Sequence, residues 1–340
     1  MDIDIAYAAT RAHAYRTYLI PSRYIKRELG GSKSLDEFVS YLHMTHYRDK
    51  LSSLGEVSLE ELIKLFRTVF SERVATLSKG LPEKYHDFVR NYLLIFDIES
   101  VMEILSEKIS GKPHRELEYY RYPFSAVDFS GFLAAPNPES LIMMLLKEPL
   151  AMEEDTVDLW RRYKTLYVVE MGLLRAYYVR LIQLSEELPG EEKEAIMDIL
   201  GPEIDIMNIS IAIGPMLYGY SPSLAARMLI PYKYKVPASA LMETYRPEAR
   251  AMMALIPEEY RPVARSFLMR EDVTARTLTR RLILRHILTI LPKLPISFAY
   301  IFGIIKLCEF EYRNLIAIAK GISLGLSSER IRSLLIVDEI

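Results

Sequence analysis

Cysteine is nearly missing from this sequence. Cys308 stands alone among 340 residues, so no disulfide can close within the chain, which fits a reducing compartment or indifference to redox. An excess of one charge is missing too: 43 lysines and arginines face 45 aspartates and glutamates, a formal net charge of −2. That balance argues against a general nucleic-acid binder, which carries a basic excess. No long apolar run is present. The most apolar stretch, "ILTILPKLPISFAYIFGIIKL" at 287–307, holds Lys293 and two prolines. Its uninterrupted part falls short of the about 20 residues that cross a bilayer, and it reads as a buried helix. The opening "MDIDIAYAATRAHAYR" is charged from its second residue, unlike a secretory signal. Gly-x-Gly-x-x-Gly does not occur. "GGSKS" at 30–34 lacks the glycine that a phosphate loop places before its lysine, and reads as a surface loop ending at a helix cap.

What is present is helical periodicity, with half of the residues hydrophobic, enough for sizeable cores and for one to three domains. No convincing run of alternating strands appears, so the expected class is all-α. One line is written three times: "DIESVMEILSEKISG" (97–111), "DIMNISIAIGPMLYG" (205–219) and "EYRNLIAIAKGISLG" (311–325), at intervals of 108 and 106 residues. Each copy opens on an acid (Asp97, Asp205, Glu311) and has a small polar residue three places on (Ser100, Asn208, Asn314). Apolar residues then follow at helical spacing. Each copy closes on a glycine (Gly111, Gly219, Gly325), which suits a left-handed helix end. Pro113, Ser221 and Ser327, two places further, are acceptable openings for another helix. Ser34 with Glu37 and Ser58 with Glu61 fit capping boxes, and Asn137 before Pro138 fits an N-cap. A weaker repeat, at 34–51, 137–154 and 236–253, reads as a helix-start signal followed by an apolar helix of similar length. Three helical units follow, roughly 1–117, 118–225 and 226–340.

Candidate chemistry is sparse. His43 and His46 are three apart, so a helix would turn both toward one metal; without a third ligand at motif spacing they read as ordinary surface histidines. Cys308 lies in an apolar helix and reads as an inert thiol. The acids Asp97, Asp205 and Glu311, each with a polar residue one turn on, read as repeated hydrogen-bonding residues and not as an acid–base pair. No catalytic, cofactor-binding or metal-binding residue is assigned. Charge is uneven: an acidic run spans 186–205 and an arginine-rich run spans 261–285. Both read as solvated faces. As docking surfaces, the first would suit a basic partner and the second an acidic partner or phospholipid heads. "ELEYYRYPF" and "YKYK" (232–235) mix tyrosines with cations, and packing between units explains them better than single-stranded nucleic acid does.

Taken whole, the chain resembles the central-stalk C-subunit family of archaeal and bacterial A/V-type ATPases, whose eukaryotic counterpart is the d subunit. The opening "YAATRAHAYRTYLIPSRYIKREL" and "SLDEFVSYLHMTHYRDKL" are similar to the family's first helices, with a Leu-x-x-Thr-x-Tyr signature at Leu42, Thr45 and Tyr47. "FDIESVMEILSEKISG" is similar to its Asp-x-x-Asn-Leu line, with Ser100 standing where the pattern has asparagine. The second and third versions are carried by "GPEIDIMNISIAI" and "EFEYRNLIAIAKGISLGLSSERIRSLLI". The resemblance implies a funnel of three similar helical domains with pseudo-threefold symmetry. It also implies a non-catalytic rotor component of a proton- or sodium-coupled ATPase or ATP synthase, peripheral on the cytoplasmic face of the membrane. The implied partners are the D/F-type shaft subunits and the proteolipid ring; nucleic acid, a cofactor and a transmembrane helix are not expected. The alternative is a helical scaffold or adaptor of another membrane-associated complex.

Overall fold

The computed structural model describes residues 3–52, 57–237, 240–241 and 253–338. Among these residues the regular structure is helical throughout, with no strand. Seven helices of 16 residues or more carry it: α1 (Ile3–Tyr18), α2 (Leu59–Ser78), α3 (Glu83–Ser110), α4 (Leu166–Glu186), α5 (Gly190–Tyr218), α6 (Asp272–Ile290) and α7 (Phe298–Ser323). The cap signals act as read. Ser34 and Ser58 accept the N–H groups of Glu37 and Glu61 at 3.1 and 3.2 Å. Asn137 accepts from Ser140 at 2.8 Å, with Pro138 in the first turn. These bonds satisfy donors that a helix start leaves unpaired.

Two compact units form. The first gathers Met1–Pro82, Glu194–Glu203 and Glu258–Ile340; the second gathers Glu83–Lys193 and Ile204–Pro257. In the first, α7 is the central element and packs on α1, α2 and α6. Its core includes Phe38, Phe66, Phe70, Phe298 and Ile318. Phe38 meets Phe66 edge-on at 6.1 Å, and Phe70 stacks on Tyr312 at 5.2 Å. Each such fully buried side chain contributes about 1.5–3 kcal/mol. In the second unit α3 packs along α4, and the Tyr177 hydroxyl donates to the Tyr92 carbonyl at 3.0 Å. Gly172 lets Thr156 approach: a Cβ there would lie 2.5 Å from its methyl group.

Several expected helices are shorter than their periodicity suggests. The 34–51 segment is helical over Leu35–Leu42, turns, and is helical again over Arg48–Leu51. The Thr45 hydroxyl causes this locally: it donates to the Leu42 carbonyl at 2.7 Å and accepts from the Tyr47 N–H at 3.2 Å. A threonine side chain thus competes with the next helical bonds. The 137–154 segment stops at Met144; Pro149 has no N–H to give and restricts Glu148 before it. Most of the third copy, 242–252, lies outside the described residues. The apolar 287–307 stretch is not one helix: α6 ends at Ile290 and α7 begins at Phe298, with Pro292 and Pro295 between them. No described helix is long and apolar enough to cross a membrane.

Candidate functional site

The thrice-written line is where local geometry repeats. Gly111, Gly219 and Gly325 have φ of 67°, 72° and 69°, the left-handed region that favours glycine. A Cβ at any of the three would meet nothing within 4 Å, so backbone conformation and not space calls for glycine. Ser221 and Ser327 then cap new helices, accepting from Leu224 and Arg330 at 3.2 Å. Pro113 opens none; the next helix begins at Leu117.

The polar residue in the line holds the chain that returns past its helix. Asn208 accepts the Ile230 N–H at 2.8 Å and donates to the Ile230 carbonyl at 3.0 Å. Asn314 makes the same pair with Ile336, at 2.6 and 2.8 Å. Ser100 makes one bond, donating to the Tyr120 carbonyl at 2.8 Å. A hydroxyl donates and accepts from a single atom, whereas an amide presents donor and acceptor side by side, matching the N–H and carbonyl of one residue.

The acid holds a second point, and the three copies compensate its charge differently. Asp205 accepts three backbone N–H groups, from Tyr234 (3.4 Å), Lys235 (2.7 Å) and Val236 (3.0 Å). Burial pushes its carboxyl up, and those donors work against the rise. Asp97 accepts the Ala126 N–H at 2.9 Å, and burial pushes it up to about 6. Glu311 faces the Arg73 guanidinium at 2.6 Å, the Tyr47 hydroxyl at 3.0 Å and the Ile20 N–H at 2.5 Å. Burial pushes its carboxyl up as well, but Arg73, His46 and the Ile20 N–H outweigh that and hold it at about 2. The Thr45 turn is what swings Tyr47 onto Glu311. Its Leu42 and Tyr47 are both buried, so the Leu-x-x-Thr-x-Tyr signature builds one wall of this cluster.

The remaining candidates fall into place around these fastenings. His43 caps the end of the Leu35–Leu42 helix, while His46 lies 3.7 Å from Glu311 and bonds Arg73. The two are not on one helical face. Among the described residues no three His, Cys, Asp or Glu side chains are grouped so as to hold a metal. Cys308 is buried, and its burial pushes the thiol up to about 12; a thiol so placed is a poor nucleophile. The acidic run divides: Glu186, Glu187, Glu191, Glu194 and Asp198 face solvent, but Asp205 is buried and Glu203 bonds the buried Lys306. The arginine run divides likewise. Arg281 donates to the Leu335 carbonyl at 2.8 Å, whereas Arg265 and Arg285 are exposed. In "GGSKS", Gly31 leaves room for Arg332: a Cβ would lie 2.7 Å from its guanidinium. The tyrosines of 118–124 pack on α3, with Phe96 at 5.1 Å from Tyr122 and 5.6 Å from Phe124. "YKYK" supplies backbone donors to Asp205.

Sequence reading missed Arg73, Tyr47, Ile20 and Lys306 as partners. A signal for Arg73 existed: it lies on the apolar stripe of α2 with Val69, Phe70, Val74 and Leu77, where a charge demands a buried counter-charge. Lys306, within "FGIIKLCEF", is the same case; Glu309 lies 3.9 Å from it and bonds Arg313 at 2.6 Å.

Comparison with known proteins covers the chain nearly from end to end. The family model described as ATP synthase (C/AC39) subunit matches residues 8–334. The A-type ATP synthase C subunit of Pyrococcus horikoshii is 25% identical over 339 residues, covering 97% of this chain and 90% of that protein. The corresponding C subunit of Pyrococcus abyssi is 24% identical, covering 97% and 89%. That of Thermococcus kodakarensis is 23% identical over 226 residues, spanning 66% of this chain and 61% of the relative. The match runs through the Glu311 cluster and all three copies of the repeated line, and the chain belongs to the ATP synthase (C/AC39) subunit family.

Proposed function

We propose that this chain is the central-stalk subunit of an A/V-type ATPase or ATP synthase and that its work is mechanical. It passes rotation between D/F-type shaft subunits and the membrane proteolipid ring, and it hydrolyses nothing itself. It sits peripherally on the cytoplasmic face of the membrane. The repeated acid-and-polar fastening, which holds returning chain at 97/100 and 205/208 and holds Ile336 together with Ile20 at 311/314, supports this reading most directly. Torque transmission needs elements that do not slide past each other, and close-packed interiors with buried polar ties resist such sliding. The fastenings also support three related units, 1–117, 118–225 and 226–340, as the inherited plan. The relatives in Pyrococcus and Thermococcus, each named as the C subunit of an A-type ATP synthase, supply the complex.

Affinity purification of the tagged chain from its native membranes tests the assignment. Shaft and proteolipid subunits are expected in the eluate; a different set of partners favours a scaffold or adaptor of another complex. Single cysteines placed beside Gly111, Gly219 and Gly325, in a chain lacking Cys308, test the contact face. All three are expected to cross-link to the same partner, and unrelated behaviour of the three removes the equivalence.

A further inference from the structure

Asp97 differs from its two counterparts in how little faces it. It is 1% exposed, yet among the described residues its Oδ1 has no hydrogen-bond partner. Its donors are the Ala126 N–H on Oδ2 and the Ser125 hydroxyl. Asp205 takes three N–H groups over both oxygens, and Glu311 has an arginine.

Most of the charged and titratable groups on the packed segments have partners of their own. On α4, Arg175 and Arg180 pair with Glu153 and Glu148, Glu170 acts on Tyr167, and Tyr177 bonds a carbonyl. On the Leu117–Tyr120 helix, Tyr119 and Tyr120 bond Glu103 and Glu107 of α3, and Glu118 is the remaining acid. Arg121 acts on Asp128, which also bonds Ser130. Glu139, on the Pro138–Met144 helix, pairs with Arg161. On α3 itself, Arg90 pairs with Asp87, and Glu99 lies two residues from Asp97 on the exposed side. Burial raises the proton affinity of Asp97, and the two neutral donors, Ser125 and Ala126, oppose it.

An ionised carboxylate with one bare oxygen in such a place costs several kcal/mol of lost hydration. Only two responses relieve that cost: taking up a proton from solvent, or opening the covering segment so that water reaches Oδ1. We propose that Asp97 is a proton-operated fastener for residues 121–126: protonated, it lets that segment seat on α3, and ionised, it drives the segment toward water. The inference rests on this geometry and not on the role proposed above.

Hydrogen exchange of the full-length chain between pH 5 and pH 8, corrected for the intrinsic pH dependence of exchange, tests it. With the carboxyl at about 6 when seated and at the ordinary 3.8 when open, the opening equilibrium of 121–126 should rise about tenfold or more from pH 5 to pH 8. The Ile336 amide, held by uncharged Asn314, should stay flat. Asp97→Asn should remove the pH dependence at 121–126 and leave protection at its low-pH level. If that variant does not fold, a carboxyl carbon NMR titration of the wild-type chain decides: a midpoint near 6 is expected. A midpoint below about 4.5, or wild-type exchange at 121–126 as flat as at Ile336, overturns the proposal.

Discussion

Arg73 Nη1 lies 2.6 Å from Glu311 Oε1, with the two side chains 6% and 3% exposed. They are 238 residues apart in sequence, so the pair ties α2 to α7 within the first unit. Removing one partner leaves a buried charge without its counter-charge, which typically costs about 3–5 kcal/mol. Arg73→Met and Glu311→Gln should each destabilise the chain on that scale in chemical denaturation. Arg73→Met with Glu311→Leu should recover much of the loss, because neither charge then remains. A double variant no better than the singles would show that Tyr47 and Ile20, not Arg73, hold Glu311.

The same pair sets an acid limit. Glu311 titrates at about 2 in the folded chain against an ordinary 4.5. A depressed carboxyl contributes stability that is fully present above about pH 4.5 and is lost as pH falls toward 2. Wild type should therefore lose more stability than Glu311→Gln across that window. Parallel curves of unfolding free energy against pH would contradict this.

Asn208 and Asn314 should be costlier to remove than Ser100. Alanine at either asparagine leaves a buried N–H unpaired, at Ile230 or Ile336, and removes a donor from the carbonyl of the same residue. The expected loss is about 2–4 kcal/mol, against about 1 for Ser100→Ala. Equal losses at all three would mean that the second bond of the amide contributes nothing.

Glycine changes should sort by cause. Alanine at Gly111, Gly219 or Gly325 meets no neighbour and should cost about 1–2 kcal/mol, the penalty for a left-handed residue. Gly172→Ala forces Cβ to 2.5 Å from Thr156 and should cost more; Thr156→Ser alongside it should restore part. Thermal denaturation of the four single variants and that double gives the order.

Local features were legible in the sequence and distant partnerships were not. The caps at Ser34, Ser58 and Asn137 act over three residues, and the left-handed glycines end helices in their own line. A reading frame of that length contains everything such features need. The asparagine and acid pattern was visible as repetition, but its meaning depends on chain 20 to 31 residues further on. The Glu311 cluster draws on Ile20, Tyr47 and Arg73, between 238 and 291 residues away, and no periodicity encodes that distance. Thr45 shows the converse error: the stripe through 34–51 reads as one helix, and a single hydroxyl cuts it. The acidic run misled in the same way, since solvated and buried carboxylates look alike until Lys306 is placed against Glu203.

The bond from the Ile20 N–H to Glu311 has a consequence for biosynthesis. Segments emerging first from the ribosome must wait for Glu311 with Arg73 and Tyr47 exposed. At about 5–20 residues per second, the 238 residues from Arg73 to Glu311 take roughly 10–50 s to translate. The second unit, ending at Pro257, can finish while the first is still open. Nascent-chain chaperones should therefore dwell on residues 1–82 until the last part of the message is read, and a premature stop before codon 311 should yield a product cleared by proteolysis.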